Sequence, residues 1–181
     1  MKKRIHILGA SGSGTTTIAK QISERLGYAH LDTDDYFWLP TDEPYTLQRP
    51  VYDRLKLLKA DLSTANNWVL SGSLMGWGDE LIPLFDLVVF IYVQPDIRLE
   101  RLKQREFERY GREIFEGGSK YEASQEFLEW ASSYDTGTTM GRNLQRHRKW
   151  LAELDCPILE IENDDLEASV AAVLNAACGD L

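Results

Sequence analysis

The run Gly9-Ala10-Ser11-Gly12-Ser13-Gly14-Thr15-Thr16-Thr17 constrains this chain more than any other feature, because of what flanks it. Before it stands a short apolar segment, Arg4–Leu8. After it comes an amphipathic stretch, Thr15–Leu26, with Ile18, Ile22 and Leu26 on one face and Gly27 as its stop. A strand that turns through glycines into a helix can place successive backbone N–H groups inward, at the positive end of the helix dipole. That is an anion cradle. The spacing is that of G-x-x-x-x-G-K-[ST], with Thr15 in the lysine position and Thr16 where a hydroxyl can reach Mg²⁺. Glycines 9, 12 and 14 are expected to free the backbone angles. A glycine-rich turn without a ligand is the plain alternative. The order G-x-G-x-x-G of a dinucleotide site is not met, and no N-K-x-D stands in the chain to read guanine.

Apolar runs alternate with amphipathic ones along the rest of the 181 residues, as βαβ units do. Strands are predicted at Arg4–Leu8, Ala29–Asp32, Trp68–Ser71, Asp86–Val93 and Pro157–Ile161. Helices are predicted at Thr15–Leu26, Val51–Ala65, Asp96 to about Arg109, Lys120–Ala131, Thr139–Leu154 and Leu166–Ala177, with Asp34–Pro50 irregular. The product is one α/β domain over 1–181: a three-layer α/β/α fold on a five-stranded parallel sheet, its ligand at the C-terminal strand ends.

Charge and composition exclude several function classes. The net charge is −9, so bulk electrostatic binding of nucleic acid is disfavoured and any affinity for anions must be local. The longest apolar run, Leu84–Val93, contains Asp86 and is about half of the roughly 20 residues a membrane span needs. The apolar stretch after Met1-Lys2-Lys3-Arg4 is too short for a secretory signal. Cys156 and Cys178 read as buried free thiols of a reducing, cytoplasmic protein.

Gly12–Thr17 resembles the loop of archaeal-type cytidylate kinases, in which threonine also replaces the lysine. The wider chain resembles the nucleoside monophosphate kinase (cytidylate/adenylate kinase-like) and shikimate kinase branch of P-loop proteins. The resemblance implies ATP and Mg²⁺ as cofactors, and phosphoryl transfer to a small acceptor, a nucleoside monophosphate or a nucleoside. It implies an acceptor-binding insert over about 36–65 and a helical lid over about 105–137. His30-Leu31-Asp32-Thr33-Asp34-Asp35-Tyr36-Phe37 resembles the D-[ST]-D segment of shikimate kinases and the D-D-F-[FY] turn of nucleoside kinases. By that likeness Asp32 helps Thr16 hold Mg²⁺ through water, and Asp34 or Asp35 positions the acceptor hydroxyl. The same carboxylates also suit helix caps. One departure is Ser71-Gly72 at the end of strand three, where monophosphate kinases carry Asp-Gly.

Arg98, Arg101, Arg105 and Arg109 recur at three- and four-residue steps, along one helical stripe. Arg101-Leu102-x-x-Arg105 resembles the R-L-x-x-R of monophosphate kinase lids. Arg101 is then a nucleotide contact, and Arg105 and Arg109 are candidates to replace the missing lysine. Interleaved Glu100, Glu106 and Glu108 also fit a solvated, salt-bridged helix. Gly111, Gly117 and Gly118 suit lid hinges or a plain loop. Arg142, Arg146, His147 and Arg148 form a second basic group, in which His147 fits a catalytic role or, as a lone histidine in a helix, an ordinary surface group, and is left unassigned. Phe37, Trp38, Tyr45, Arg49, Arg54 and Trp77 fit either acceptor recognition or packing. The lost lysine and the uncharged Ser71 leave room for a second reading, a nucleotide-binding regulator with weak or no kinase activity.

Overall fold

The computed structural model describes residues 1–137 and 141–179. Five strands form one parallel sheet: β1 (Arg4–Gly9), β2 (Ala29–Asp32), β3 (Trp68–Ser71), β4 (Leu87–Tyr92) and β5 (Ile158–Glu162), in the order β2-β3-β1-β4-β5. The helices are α1 (Thr15–Leu26), α2 (Thr33–Phe37), α3 (Val51–Thr64), α4 (Pro95–Tyr110), α5 (Tyr121–Ser132), α6 (Leu144–Leu151) and α7 (Leu166–Cys178). Among the described residues no helix is long and apolar enough to cross a membrane.

Alternation along the central strands builds two cores, as a sheet covered on both faces requires. Ile5 and Ile7 of β1, with Leu87, Val89 and Ile91 of β4, pack with α1 and α7 through Ile18, Ile22, Val170 and Val173. Leu8, Val88 and Phe90 face the other way, toward Leu58 and Leu62 of α3 and Trp150 and Leu151 of α6. Helix α1 ends where the sequence says: Gly27 takes a left-handed φ of 68° and its N–H bonds to the Ser23 carbonyl.

Three expectations are corrected. The segment after β2 is not irregular from Asp34, because the Asp32 carboxylate accepts the Asp34 N–H at 3.0 Å and starts α2. In the helix predicted over Thr139–Leu154, Thr139 and Met140 lie outside the described residues, and helix runs only over Leu144–Leu151. Cys156 and Cys178 are free, but Cys156 is half-buried and Cys178 exposed.

The order reverses between β1 and β4, which opens a crevice above their C-terminal ends. Register fixes what meets there: Gly9 lies beside Ile91, and Asp32 beside Ser71. Two excursions rise over this edge. One is the arm 38–48, closed by Leu39 N–H to Leu47 O at 2.8 Å and Arg49 N–H to Phe37 O at 2.8 Å. The other runs from the end of α4 through α5. They touch where Lys120 pairs with Glu43 and where the Arg109 guanidinium lies 4.7 Å from the Tyr45 ring centroid.

Candidate active site

Each glycine of the first loop has its own reason. Gly12 and Gly14 hold φ of 81° and 86°, which side chains resist. Gly9 does not share that conformation, against expectation. It is needed for space, since an added Cβ would come within 2.5 Å of both the Ile91 carbonyl oxygen and Ser13 Oγ. Ser13 is buried and braces the loop: its hydroxyl donates to the Ala10 carbonyl at 2.8 Å, and its own carbonyl accepts from Asn163 Nδ2 at 2.9 Å. Among the described residues, no protein acceptor takes the amides of Gly12, Gly14, Thr15 or Thr16. Four donors therefore stay available where α1 begins. Thr17 is exposed on the first turn of α1.

Beside the loop, Asp32 Oδ2 accepts hydrogen bonds from Thr16 Oγ1 and Ser71 Oγ, both at 2.8 Å, and His30 Nε2 lies 3.0 Å from the same Ser71 hydroxyl. One carboxylate and a threonine hydroxyl suit Mg²⁺, which keeps several waters and takes few protein ligands. No cluster of three or more His, Cys, Asp or Glu with metal-binding geometry occurs among the described residues.

Arg142 brings a cation to the loop. Its Nη2 donates to Ser11 Oγ at 2.7 Å, and its guanidinium lies 5.3 Å from the Trp130 ring centroid. Burial lowers its pKa, and Asp34 is the largest opposing influence. Across the cleft the Asp34 carboxyl has a raised pKa, first from desolvation and then from Asp32, while Arg142 and Arg105 pull it down. Arg105 is held down by desolvation and by Arg109. The site thus sets Asp34 among Arg142, Arg105 and the Thr16–Asp32–Ser71 cluster.

The stripe of arginines does not act as one unit. Arg101 Nη1 reaches the Gly12 carbonyl at 3.4 Å, and Arg109 stands further out, over Tyr45 and 3.9 Å from Glu106. Arg98 is only 1% exposed and turns away from the cleft. It gives Nε–H to the Val93 carbonyl at 3.0 Å and pairs with Asp135, behind Gly12. His147 is not a surface residue but completely buried. Arg54 is buried too, over the Phe37 ring at 3.7 Å, with bonds to the Arg49 carbonyl and to Gln48 Oε1. Trp77 is buried beside them and gives its indole N–H to the Ser73 carbonyl at 3.1 Å.

Arg142 has no role assigned from its local sequence. Its only sequence signal is its place after Gly141, at the start of a basic group; Ser11 lies 131 positions away.

A sequence model of the AAA domain family matches residues 5–125. The Bacillus subtilis protein YqaC is 54% identical over 164 residues, 91% of this chain and 90% of that protein. The cytidylate kinase of Archaeoglobus fulgidus is 33% identical over 114 residues, 57% of this chain and 62% of that enzyme, and the Methanococcus vannielii cytidylate kinase 29% over 117 residues, 58% and 66%. The chain therefore spans a little under two thirds of these kinases. Among solved structures, shikimate kinase from Bacteroides thetaiotaomicron superimposes with a TM-score of 0.57 at 19% identity, covering 97% of this chain and 98% of that one. Shikimate kinase from Acinetobacter baumannii, in complex with shikimate, gives 0.55 at 16%, covering 96% and 91%. At such identities the likeness is one of fold. With the loop, the sheet order and these matches together, the chain belongs to the AAA domain family of P-loop proteins, in the nucleoside monophosphate kinase and shikimate kinase type of that fold.

Proposed function

We propose that this protein transfers the γ-phosphoryl group of ATP to a hydroxyl or phosphate oxygen of a small acceptor that carries its own anionic group. The observation that carries this reading is a glycine loop with unclaimed amides beside the Thr16–Asp32–Ser71 cluster, with the Arg142 guanidinium bonded to Ser11 of that loop. Phosphoryl transfer asks for positioning and charge neutralisation above all. The loop amides hold the donor phosphates. Arg142 and Arg105 supply the positive charge that Thr15 lacks, and an arginine fork suits phosphate oxygens. Mg²⁺, held by Thr16 and by Asp32 through water, would neutralise charge on the β and γ oxygens. Where the acceptor is a hydroxyl, its O–H donates to Asp34, which takes the proton as the oxygen bonds to the γ-phosphorus and the bond to ADP breaks; an ionised phosphate oxygen attacks with no proton to give up. The raised pKa of Asp34 suits a carboxylate that receives a proton. The segment 105–137 serves as the lid and the arm 38–48 with α3 as the acceptor insert.

The anionic acceptor rests on Arg54. This guanidinium is 6% exposed and has no carboxylate within ion-pair distance among the described residues, and both burial and Arg49 lower its pKa. A buried, unpaired cation favours a ligand of opposite charge. Both named relatives point the same way, since cytidylate and shikimate are anions. The test is labelled MgATP with cytidine monophosphate, the other nucleoside monophosphates, nucleosides, shikimate and related hydroxy acids. A labelled product from an anionic acceptor is expected. Product from neutral nucleosides alone, or from no acceptor, contradicts the reading. MgATP binding without turnover on any acceptor would favour a nucleotide-binding regulator, the role that Thr15 and the uncharged Ser71 suggest.

A further inference from the structure

The loop from Gly72 to Gly78 lies against the turn that carries Asp34. Gly72 has a φ of 100°, and a Cβ there would come 1.9 Å from Thr33 Oγ1, one residue before Asp34. Within this loop Ser73 makes three kinds of contact. Its carbonyl accepts the Trp77 indole N–H; its hydroxyl oxygen accepts the Met75 N–H at 3.4 Å; and the same oxygen lies 3.1 Å from His147 Nε2. The other nitrogen, His147 Nδ1, lies 2.7 Å from the Tyr134 hydroxyl, at the end of the helical excursion. His147 is wholly buried and Tyr134 is 4% exposed, while Ser73, two residues past the C-terminal end of β3, is half-buried. Burial keeps this imidazole neutral, with its pKa lowered to about 3.

A neutral imidazole has one donor and one acceptor nitrogen. Among the described residues the Tyr134 hydroxyl has no acceptor other than His147 Nδ1. Tyr134 therefore donates to Nδ1, and the proton on Nε2 is donated to Ser73. Both lone pairs of the Ser73 oxygen are then taken, by His147 and by Met75, and only its hydrogen is left to offer. We propose that Ser73 is an acceptor-binding donor, its O–H presented to an oxygen of the acceptor by a Tyr134–His147 positioning relay. The relay also ties the end of the lid to the loop carrying Trp77, so lid and acceptor wall are set together. This inference rests on the phosphotransfer reading above and adds a specificity determinant to its acceptor side.

The direction of the relay is testable with no acceptor present. ¹⁵N-imidazole NMR at neutral pH, with the signal assigned through His147→Gln, should show His147 protonated on Nε2; protonation on Nδ1 overturns the proposal. The functional arm uses MgATP and cytidine monophosphate as the probe acceptor. Ser73→Ala and Tyr134→Phe should each raise the KM for the probe about tenfold, the size of one lost hydrogen bond. The KM for ATP should stay within about twofold, the double variant should match the single ones, and Ser73→Thr should restore the wild-type value. Additive losses, equal shifts in both KM values, or changes confined to the melting temperature overturn it. If the wild type does not phosphorylate cytidine monophosphate, that arm of the proposed function fails separately, and the imidazole spectrum still decides the relay.

Discussion

Arg142 shows how much one side chain can carry here. On the proposed reading it supplies the charge of the missing lysine, and it comes from the far end of the chain, held to Ser11. A charge-assisted hydrogen bond is worth about 1.5–3 kcal/mol, so its loss from the transition state slows transfer by roughly ten- to a hundredfold. Arg142→Gln is accordingly expected to lower kcat/KM by that factor while the melting temperature holds; steady-state kinetics beside a thermal melt check it. Unchanged turnover would return the role to Arg105 or Arg109. The same residue marks where reading a sequence stops. Gly12, Gly14 and Thr16 were legible because local backbone geometry demands them. Arg142 was not, because its place is set by how the chain returns after α5 to a loop 131 positions away. His147 was misread for a different reason. Leu144, His147, Trp150 and Leu151 share one face of α6, a three- and four-residue pattern that marks a buried side. Its basic neighbours Arg146 and Arg148 drew attention to the wrong face.

At the scale of elements, α4 was found from its arginine spacing but its inner structure was not. One helix carries residues of opposite use: Arg101 and Arg105 toward the cleft, Arg98 into the interior. The stripe is continuous in sequence, but α4 leans its first turn against Gly12, and there the Arg98 side chain is enclosed. Its ion pair with Asp135 fastens the turn after α5 behind the phosphate loop. Removing one partner of a buried pair leaves the other uncompensated, at a cost of about 3–5 kcal/mol. Asp135→Leu is therefore expected to lose stability by about that amount in urea unfolding, and Arg98→Met with Asp135→Leu to regain a substantial part. A loss under about 1 kcal/mol for Asp135→Leu would mean that Arg98 finds other partners. The strands needed no such correction. Each apolar run became a strand within a residue or two, since a sheet buried on both faces leaves little else for such runs to do.

For the whole molecule, two fully buried histidines contribute to the response to acid. His6 sits in the sheet with Nδ1 bonded to the Leu70 carbonyl at 3.1 Å, and burial lowers its pKa to about 4; His147 is lowered to about 3. The unfolded chain takes up protons near the ordinary histidine value of about 6.5, whereas the folded chain resists until these lower values. Between them the unfolded state binds more protons, so stability is full above about pH 6.5 and is lost as pH falls. The slope is up to about 1.4 kcal/mol per pH unit for each histidine. Melting temperature should fall steadily from pH 6.5 to 5 in thermal scans, and the fall should be shallower in His147→Gln. A flat profile would mean that both imidazoles reach solvent.

The proposed function stands on the amides of Gly12, Gly14, Thr15 and Thr16 taking a triphosphate. Titration of MgATP into the protein by isothermal calorimetry addresses it directly, with Gly12→Ala as the partner experiment, since that methyl would press on the Arg98 carbonyl at 2.9 Å and strain a φ of 81°. The wild type should bind one MgATP per chain, and the variant should stay folded and bind at least about tenfold more weakly. No saturable heat from the wild type, or equal affinity in the two proteins, would contradict the account.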